Sequence, residues 1–211
     1  MTITATSEDS DVSDGGVTND PFLYLTFISG QETTDFTVDD ITVMGGTLSS
    51  FFAESSTIYT VTLTPSEDGE ITIDVAADSF TDLSGIGNLA ATQFNWTYDT
   101  TAPTMTTIIC CSNSDPTITL TFLSSEATTD FTVDDITVMG GTLSSFFADS
   151  STIYTVTLTP SEDGEITIEV AAGSFTDAAG NGNTATEPHI WIYDGTAPTM
   201  LITATNGSDI E

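Results

Sequence analysis

Apolar and polar residues alternate through most of this chain with a period of two. Residues 22–28 read Phe-Leu-Tyr-Leu-Thr-Phe-Ile, which puts Leu23, Leu25 and Phe27 on one face. Successive side chains of a strand point to opposite sides, so this alternation marks a half-buried strand. The same test predicts strands at residues 2–6, 22–28, 41–44, 47–52, 58–64, 70–76 and 92–98. Tyr59, Val61 and Leu63 form the inner face of the fifth, Ile71, Ile73 and Val75 that of the sixth, and Phe94, Trp96 and Tyr98 that of the seventh. Gly45-Gly46 ends the third strand, and Pro65-Ser66-Glu67-Asp68-Gly69 is a hairpin turn with glycine where a positive φ is needed. No segment sustains a helical period. Trp96 and Trp191 occupy matching inward positions and are expected in cores rather than on a sugar-stacking surface. Phe51-Phe52 and Phe146-Phe147 put one ring on each face, so the outward ring of each pair is either a lateral contact or an edge residue beneath a loop.

The pattern then starts again. Residues 33–73 and 128–168 match at an offset of 95 with one change, Glu54 for Asp149. Seven short strands in a repeat of this length, with turn signals between them, describe an immunoglobulin-like β-sandwich. A joint of constant sequence separates the units. Tyr98-Asp99-Thr100-Thr101-Ala102-Pro103-Thr104-Met105 returns as Tyr193-Asp194-Gly195-Thr196-Ala197-Pro198-Thr199-Met200. Proline donates no hydrogen bond and keeps its predecessor extended, so the joint reads as a short, stiff tether rooted in an aspartate. The expected organisation is all-β: a first sandwich at 1–99, a linker at 100–104, a second sandwich at 105–194, and a linker with the first strand of a following repeat at 195–211. Met1-Thr2-Ile3-Thr4-Ala5-Thr6 and Met200-Leu201-Ile202-Thr203-Ala204-Thr205 are near copies. The chain is therefore expected to be a piece, or one period, of a longer array. Its tail is equally suited to pair with a neighbouring subunit by strand addition.

Composition sharpens this picture. The 211 residues include 32 acidic side chains, no lysine and no arginine, for a formal charge of −32. That excludes nucleic acid, whose phosphates need cationic partners, and disfavours anionic membrane surfaces. With 38% hydrophobic residues and about one threonine in five, the chain has the makings of packed sheets rather than disorder. No apolar run approaches the roughly 20 residues that span a bilayer, and no basic segment opens the chain as a signal peptide would. The two cysteines, Cys110 and Cys111, are adjacent and point to opposite faces of any strand, so they are poorly placed to pair together. Either one is buried as a small hydrophobe and the other exposed, or they form an interchain disulfide in an oxidising compartment.

The carboxylates are placed by the topology. Strands that reverse at every turn sort their loops to two poles. At the pole where the chain enters the second unit, the loop after its second strand carries Glu126 and Asp130, and the loop after its sixth carries Asp177, Asn181 and Asn183. The tether delivers Asp99 to the same pole. Two carboxylates 4 Å apart repel by about 4 kcal/mol at an effective dielectric near 20. With no basic residue in the chain, several of them converge only around a cation, and hard oxygen ligands suit Ca²⁺. The competing reading is that aspartate and asparagine here simply form turns. The first unit offers a similar set in Glu32, Asp35, Asp82 and Asn88, and the second joint repeats the tether aspartate as Asp194. Ile86 stands where the second unit has Asn181, which makes Asn181 the weaker candidate. The acidic segment at residues 7–16 is either a solvated loop or a further ion site.

Taken together, Phe131-Thr132-Val133-Asp134-Asp135-Ile136-Thr137-Val138, Tyr154-Thr155-Val156-Thr157-Leu158-Thr159-Pro160, Asp163-Gly164, Phe175-Thr176-Asp177-Ala178-Ala179-Gly180-Asn181, and Tyr193-Asp194 with Ala197-Pro198-Thr199 resemble the bacterial Ig-like repeats that build the extender regions of giant surface adhesins. The resemblance covers both units. It implies tandem secreted sandwiches stiffened by calcium at their junctions, with ligands at Glu126, Asp177 and Asp99. Asp82-Leu83-Ser84-Gly85-Ile86 in the first unit departs from the pattern.

Enzyme chemistry finds no motif. His189 is the sole histidine, and there is no G-x-S-x-G, phosphate loop or H-E-x-x-H. The expected role is structural: a calcium-stiffened spacer outside the cell or at its surface, whose partners are adjacent copies of the same repeat in a linear array or filament. The alternative is an adhesion module for glycans or a surface partner, although near-identical loops suit spacers better, and any such ligand site would lie elsewhere in the full chain. Asn95-Trp96-Thr97 and Asn206-Gly207-Ser208 fit the glycosylation acceptor pattern.

Overall fold

A computed structural model describes residues 1–8, 10–109 and 114–202. It divides into two compact units. The first is Met1–Pro103 with Ala127–Thr129 and Phe175–Asn183; the second is Thr104–Glu126, Asp130–Ser174 and Thr184–Glu211.

Among the described residues, the first unit contains nine strands. They are β1 (Thr2–Thr6), β2 (Asp11–Val12), β3 (Gly16–Thr18), β4 (Leu23–Ile28), β5 (Ile41–Met44), β6 (Gly46–Ala53), β7 (Ile58–Pro65), β8 (Gly69–Val75) and β9 (Phe94–Tyr98). One sheet has the order β2-β1-β4-β7-β6 and the other β3-β9-β8-β5. The expected inner faces close the core between them: Leu23, Leu25, Phe27, Leu63, Ile73 and Trp96 are wholly buried. The Trp96 indole N–H has no hydrogen-bond partner there, so this ring contributes through packing alone. Tyr98, expected inward as well, is only half-buried and lies against the core edge.

Two strands more than the expected seven come from the acidic segment at residues 7–16. Instead of a plain solvated loop, it turns back as β2 onto β1 and then crosses to the opposite sheet, where β3 pairs in parallel with β9. Gly15, in the left-handed region at φ 75°, makes that crossing feasible. Asp14 fixes it by accepting the Asn95 backbone N–H at 2.8 Å.

Among its described residues the second unit has the expected seven strands: β10 (Met105–Ile109), β11 (Ile118–Ser124), β12 (Ile136–Met139), β13 (Gly141–Ala148), β14 (Ile153–Pro160), β15 (Gly164–Val170) and β16 (His189–Tyr193). The sheets run β10-β11-β14-β13 and β12-β15-β16. Leu120, Phe122, Leu158, Ile166 and Ile168 are wholly buried, and Trp191 is buried as expected. A glycine is required between β12 and β13. Gly140 sits at φ 85°, and a Cβ there would lie 2.7 Å from the Glu165 carbonyl oxygen. Both units carry the same bulge, at Ser49–Phe52 and Ser144–Phe147, with Ser50 and Ser145 at positive φ. It turns Phe51 and Phe146 inward against Tyr59 and Tyr154 and leaves Phe52 and Phe147 exposed. Met200–Ile202 lie in no strand, and the rest of the expected following strand falls outside the described residues.

The core assignment predicts a clear asymmetry between neighbouring rings. Phe122→Ala should destabilise the second unit by roughly 3–5 kcal/mol, whereas Phe147→Ala should change its stability by no more than about 0.5 kcal/mol. Urea unfolding followed by circular dichroism measures both.

Candidate functional site

The tether is held by a carboxylate that sequence reasoning treated as an ordinary turn residue. As the chain leaves β9, Asp99 N–H donates to the Thr18 carbonyl at the end of β3 (3.1 Å). Asp99 Oδ1 then accepts the Thr101 N–H at 3.0 Å, a local turn. From the β7–β8 hairpin, Asp68 takes hold of the same segment. Its Oδ1 accepts Thr100 Oγ1 at 2.8 Å, and its Oδ2 accepts Thr101 Oγ1 at 3.0 Å. The second unit repeats the device. Asp163 accepts the Gly195 N–H at 2.7 Å and the Thr196 hydroxyl, while Asp194, itself exposed, accepts the Thr196 N–H at 3.1 Å. The signal was present in the sequence, since Asp68 to Thr100 and Asp163 to Gly195 are both 32 residues apart. Spacing alone, however, does not show that a hairpin tip reaches a linker.

Asp177 is the most enclosed of the candidate carboxylates, 8% exposed. Its loop closes around it: Oδ1 accepts the N–H groups of Ala179 and Asn181, both at 2.9 Å. Asn181 then acts as a cross-link. Its Nδ2 donates to Asp177 Oδ2 (3.0 Å) and to the Asp99 carbonyl (2.8 Å), while its Oδ1 accepts Asn19 Nδ2 (3.0 Å). Asn19 N–H also donates to the Ala179 carbonyl at 3.2 Å. Asn181, the weaker candidate from sequence, is therefore the residue that joins Asp99 to Asp177, and it does so largely as a donor. Asp99 is half-buried, and each of the two aspartates places a carboxylate oxygen within 4.8 Å of the other. Asn183 Oδ1 accepts the Phe175 N–H at 3.0 Å, which commits that side-chain oxygen to closing the loop. Glu126 belongs to the second unit, is half-buried, and immediately precedes Ala127, which belongs to the first.

In the first unit the corresponding loop is tied internally. Asp82 Oδ1 accepts the N–H groups of Ser84 (2.8 Å) and Ile86 (2.9 Å), and the Asn88 side chain bonds Phe80 N–H and the carbonyls of Ala76 and Leu89. Asp35 accepts the Thr33 hydroxyl at 2.6 Å and both the N–H and the hydroxyl of Thr81. The hydroxyls of Thr33 and Thr81, with the Thr81 N–H, hold its carboxyl below the usual aspartate value. Burial, with the Asp35 charge behind it, pushes the Tyr59 phenol up. Glu32 is exposed, and the matching with Glu126 is off by one. The Ser29–Gln31 turn corresponds to Ser124–Glu126, each closed onto its serine hydroxyl at 3.4 Å, so Gln31 stands where the second unit has Glu126. A neutral amide there removes one of the first unit's expected carboxylates.

Asp130 is exposed and lies close enough to Tyr154 to help burial raise that phenol. Asn95 is half-buried, and its amide donates to Asp14 at 3.4 Å. Cys110, Cys111 and Asn206 lie outside the described residues.

A family model described as a bacterial Ig-like domain matches residues 2–98 and again 99–191. No curated protein sequence matches the chain. Among solved structures it is similar to InvD of Yersinia pseudotuberculosis, at 18% identity and a TM-score of 0.43 over 89% of this chain and 59% of that one. It is also similar to invasin, a bacterial integrin-binding protein, at 15% identity and a TM-score of 0.37 over 79% of this chain and 36% of that one. The chain thus spans less than two thirds of the length of either.

The tether grip predicts an acid-labile contribution to stability. The Thr100 hydroxyl at Asp68, and the Thr196 hydroxyl with the Gly195 N–H at Asp163, hold both carboxyls below their ordinary value of 3.8. A lowered folded-state pKa favours the fold fully above the unfolded value and loses that advantage as pH falls through the folded one. Urea midpoints measured from pH 7 down to about pH 2 should therefore fall below about pH 4. The Asp68→Asn, Asp163→Asn variant should fall less over that window.

Proposed function

The chain belongs to the bacterial Ig-like domain family, and from that premise we propose that it is an extracellular spacer of a surface adhesin, a non-catalytic array segment whose tether is stiffened by calcium. The observation that carries this reading is the pair Asp99 and Asp177. Their carboxylate oxygens come within 4.8 Å of one another, one of them is 8% exposed, and the chain has no lysine or arginine to neutralise either. Calcium takes six to eight hard oxygens, and carboxylates with backbone carbonyls are the donors it prefers. Asp99 and Asp177 would supply the first two, and Glu126, one residue from Ala127, a third. The ion would supply positive charge where Asp99 and Asp177 otherwise repel.

The chain's own residues prepare the position without it. Asp68 fixes the tether, the Asp99 turn fixes its carboxylate, and the N–H groups of Ala179 and Asn181 orient Asp177. In the first unit, Gln31 in place of Glu126 argues for a weaker site or none. No helix among the described residues is long and apolar enough to cross a membrane. In this reading any attachment to the cell lies in other parts of the array, and adjacent copies of the repeat are the partners.

Calcium at a hundredfold excess over its dissociation constant should stabilise the fold by about 2.7 kcal/mol. The melting temperature in millimolar Ca²⁺ should exceed that in chelator. Asp177→Asn or Asp99→Ala should abolish most of the difference, while Glu32→Gln should leave it unchanged. A chain whose melting temperature ignores both calcium and chelator, with no heat of binding by calorimetry, would refute the cation reading.

A further inference from the structure

The carboxylates are unevenly distributed among the strands. In the first unit, β1, β4, β6 and β7 carry none, and in the second, β10, β11, β13 and β14 carry none, although roughly one residue in seven of the chain is acidic. The opposite sheets are different: Glu70 and Asp74 alternate outward on β8, as do Glu165 and Glu169 on β15. Each unit therefore has one sheet whose four longer strands carry no charge, and in the first unit only the two-residue edge strand β2 adds a carboxylate, Asp11. The outer face of that sheet is also partly apolar. Cross-strand register aligns Thr4, Thr26, Thr60 and Phe52 in the first unit, and Ile108, Thr121, Thr155 and Phe147 in the second. Neighbouring rows add Ile28 opposite Ile58, and Leu123 opposite Ile153. Phe52 and Phe147 are 59% and 63% exposed, and the four aliphatic side chains in those pairs are about 40% exposed.

We propose that this threonine-and-aliphatic sheet face is a self-association surface, and that its occupant is a second copy of the chain. Charge argues for that occupant. Two molecules of formal charge −32 repel wherever carboxylates meet, so only faces without them can approach to the roughly 10 Å at which sheets pack. A cationic partner would be drawn to the acidic loops instead. Threonine methyls and the isoleucine, leucine and phenylalanine side chains supply apolar contact, and the hydroxyls can exchange hydrogen bonds across the interface. Two carboxylates border the face: Asp149, from the β13–β14 turn, accepts Thr155 Oγ1 at 3.0 Å beside Phe147, and Asp11 lies beyond β1 on β2. The face recurs in each unit, so each unit offers one such contact.

Sedimentation equilibrium of the full chain in EDTA tests this independently of any bound cation, so its failure leaves the calcium reading untouched. A reversible dimer is expected, tightening several-fold as NaCl rises from about 50 mM to about 0.5 M, because screening removes residual repulsion but not apolar contact. Phe52→Asp with Phe147→Asp should weaken it by about ten-fold or more. Met44→Asp with Met139→Asp, equally exposed but on the opposite sheets, should not. Thr60→Asp with Thr155→Asp is a second disruptive pair in case the phenylalanine variants melt early. A chain that keeps its monomer mass at every concentration and salt, or a dimer weakened equally by the methionine pair, would overturn the proposal.

Discussion

A carboxylate in this chain has no cationic side chain to turn to, and most of the local structure follows from that constraint. Hydroxyl and amide donors do what lysine and arginine do elsewhere. Asp40 and Asp135 accept the N–H and hydroxyl of Thr37 and Thr132, which sets the short 3-10 turns at Val38–Asp40 and Val133–Asp135. Asp35 draws on Thr33 and Thr81, Asp14 on Asn95, and Asp68 on Thr100 and Thr101. A hydrogen bond to a charged acceptor contributes more than a neutral pair. The abundant threonines are thus both strand formers and the molecule's supply of charge-assisted donors.

The same constraint divides each sandwich into regions of different character. Carboxylates collect where neutral donors and water can serve them: hairpin tips, loops and the outward side of β8 or β15. The longer strands of the opposite sheet, paved with threonine, carry none. The hairpin tip has a further consequence. Because Asp68 and Asp163 bond the tether, each unit fixes the direction in which its own chain departs, before any ion is considered. Asp177 is the exception to the pattern, since it is enclosed, close to Asp99, and satisfied by N–H groups that orient it without cancelling its charge. An added cation has its clearest physical reason there.

Strand placement was legible because period-two alternation is a local property. β1 and β5 fall on the residues expected for them, and the other expected strands shift by one or two at their ends. The proline joint and the repeat were legible as literal identity, and the inward tryptophans as a matter of parity. The crossing of β3 to the second sheet was not. A Gly-Gly pair inside an acidic run says that the chain turns, whereas the parallel partner of residues 16–18 lies some 80 positions away on β9. The match of Glu32 to Glu126 rested on residue type rather than on position. The 95-residue offset sets Gln31 opposite Glu126, and the shared serine-closed turn agrees with that register.

By itself the sequence determined the elements: which residues alternate, where glycine and proline stop a strand, which rings face inward, and that every charge is negative. These depend on a residue and its neighbours in the chain. Tertiary structure decided which carboxylates meet, which are already committed to a turn, and which hairpin tip holds a linker 32 residues onward. It also decided that the uncharged strands lie together in one sheet of each unit. Those outcomes depend on pairing between distant strands, where a shift of one position exchanges an inward side chain for an outward one. No window along the chain contains that information.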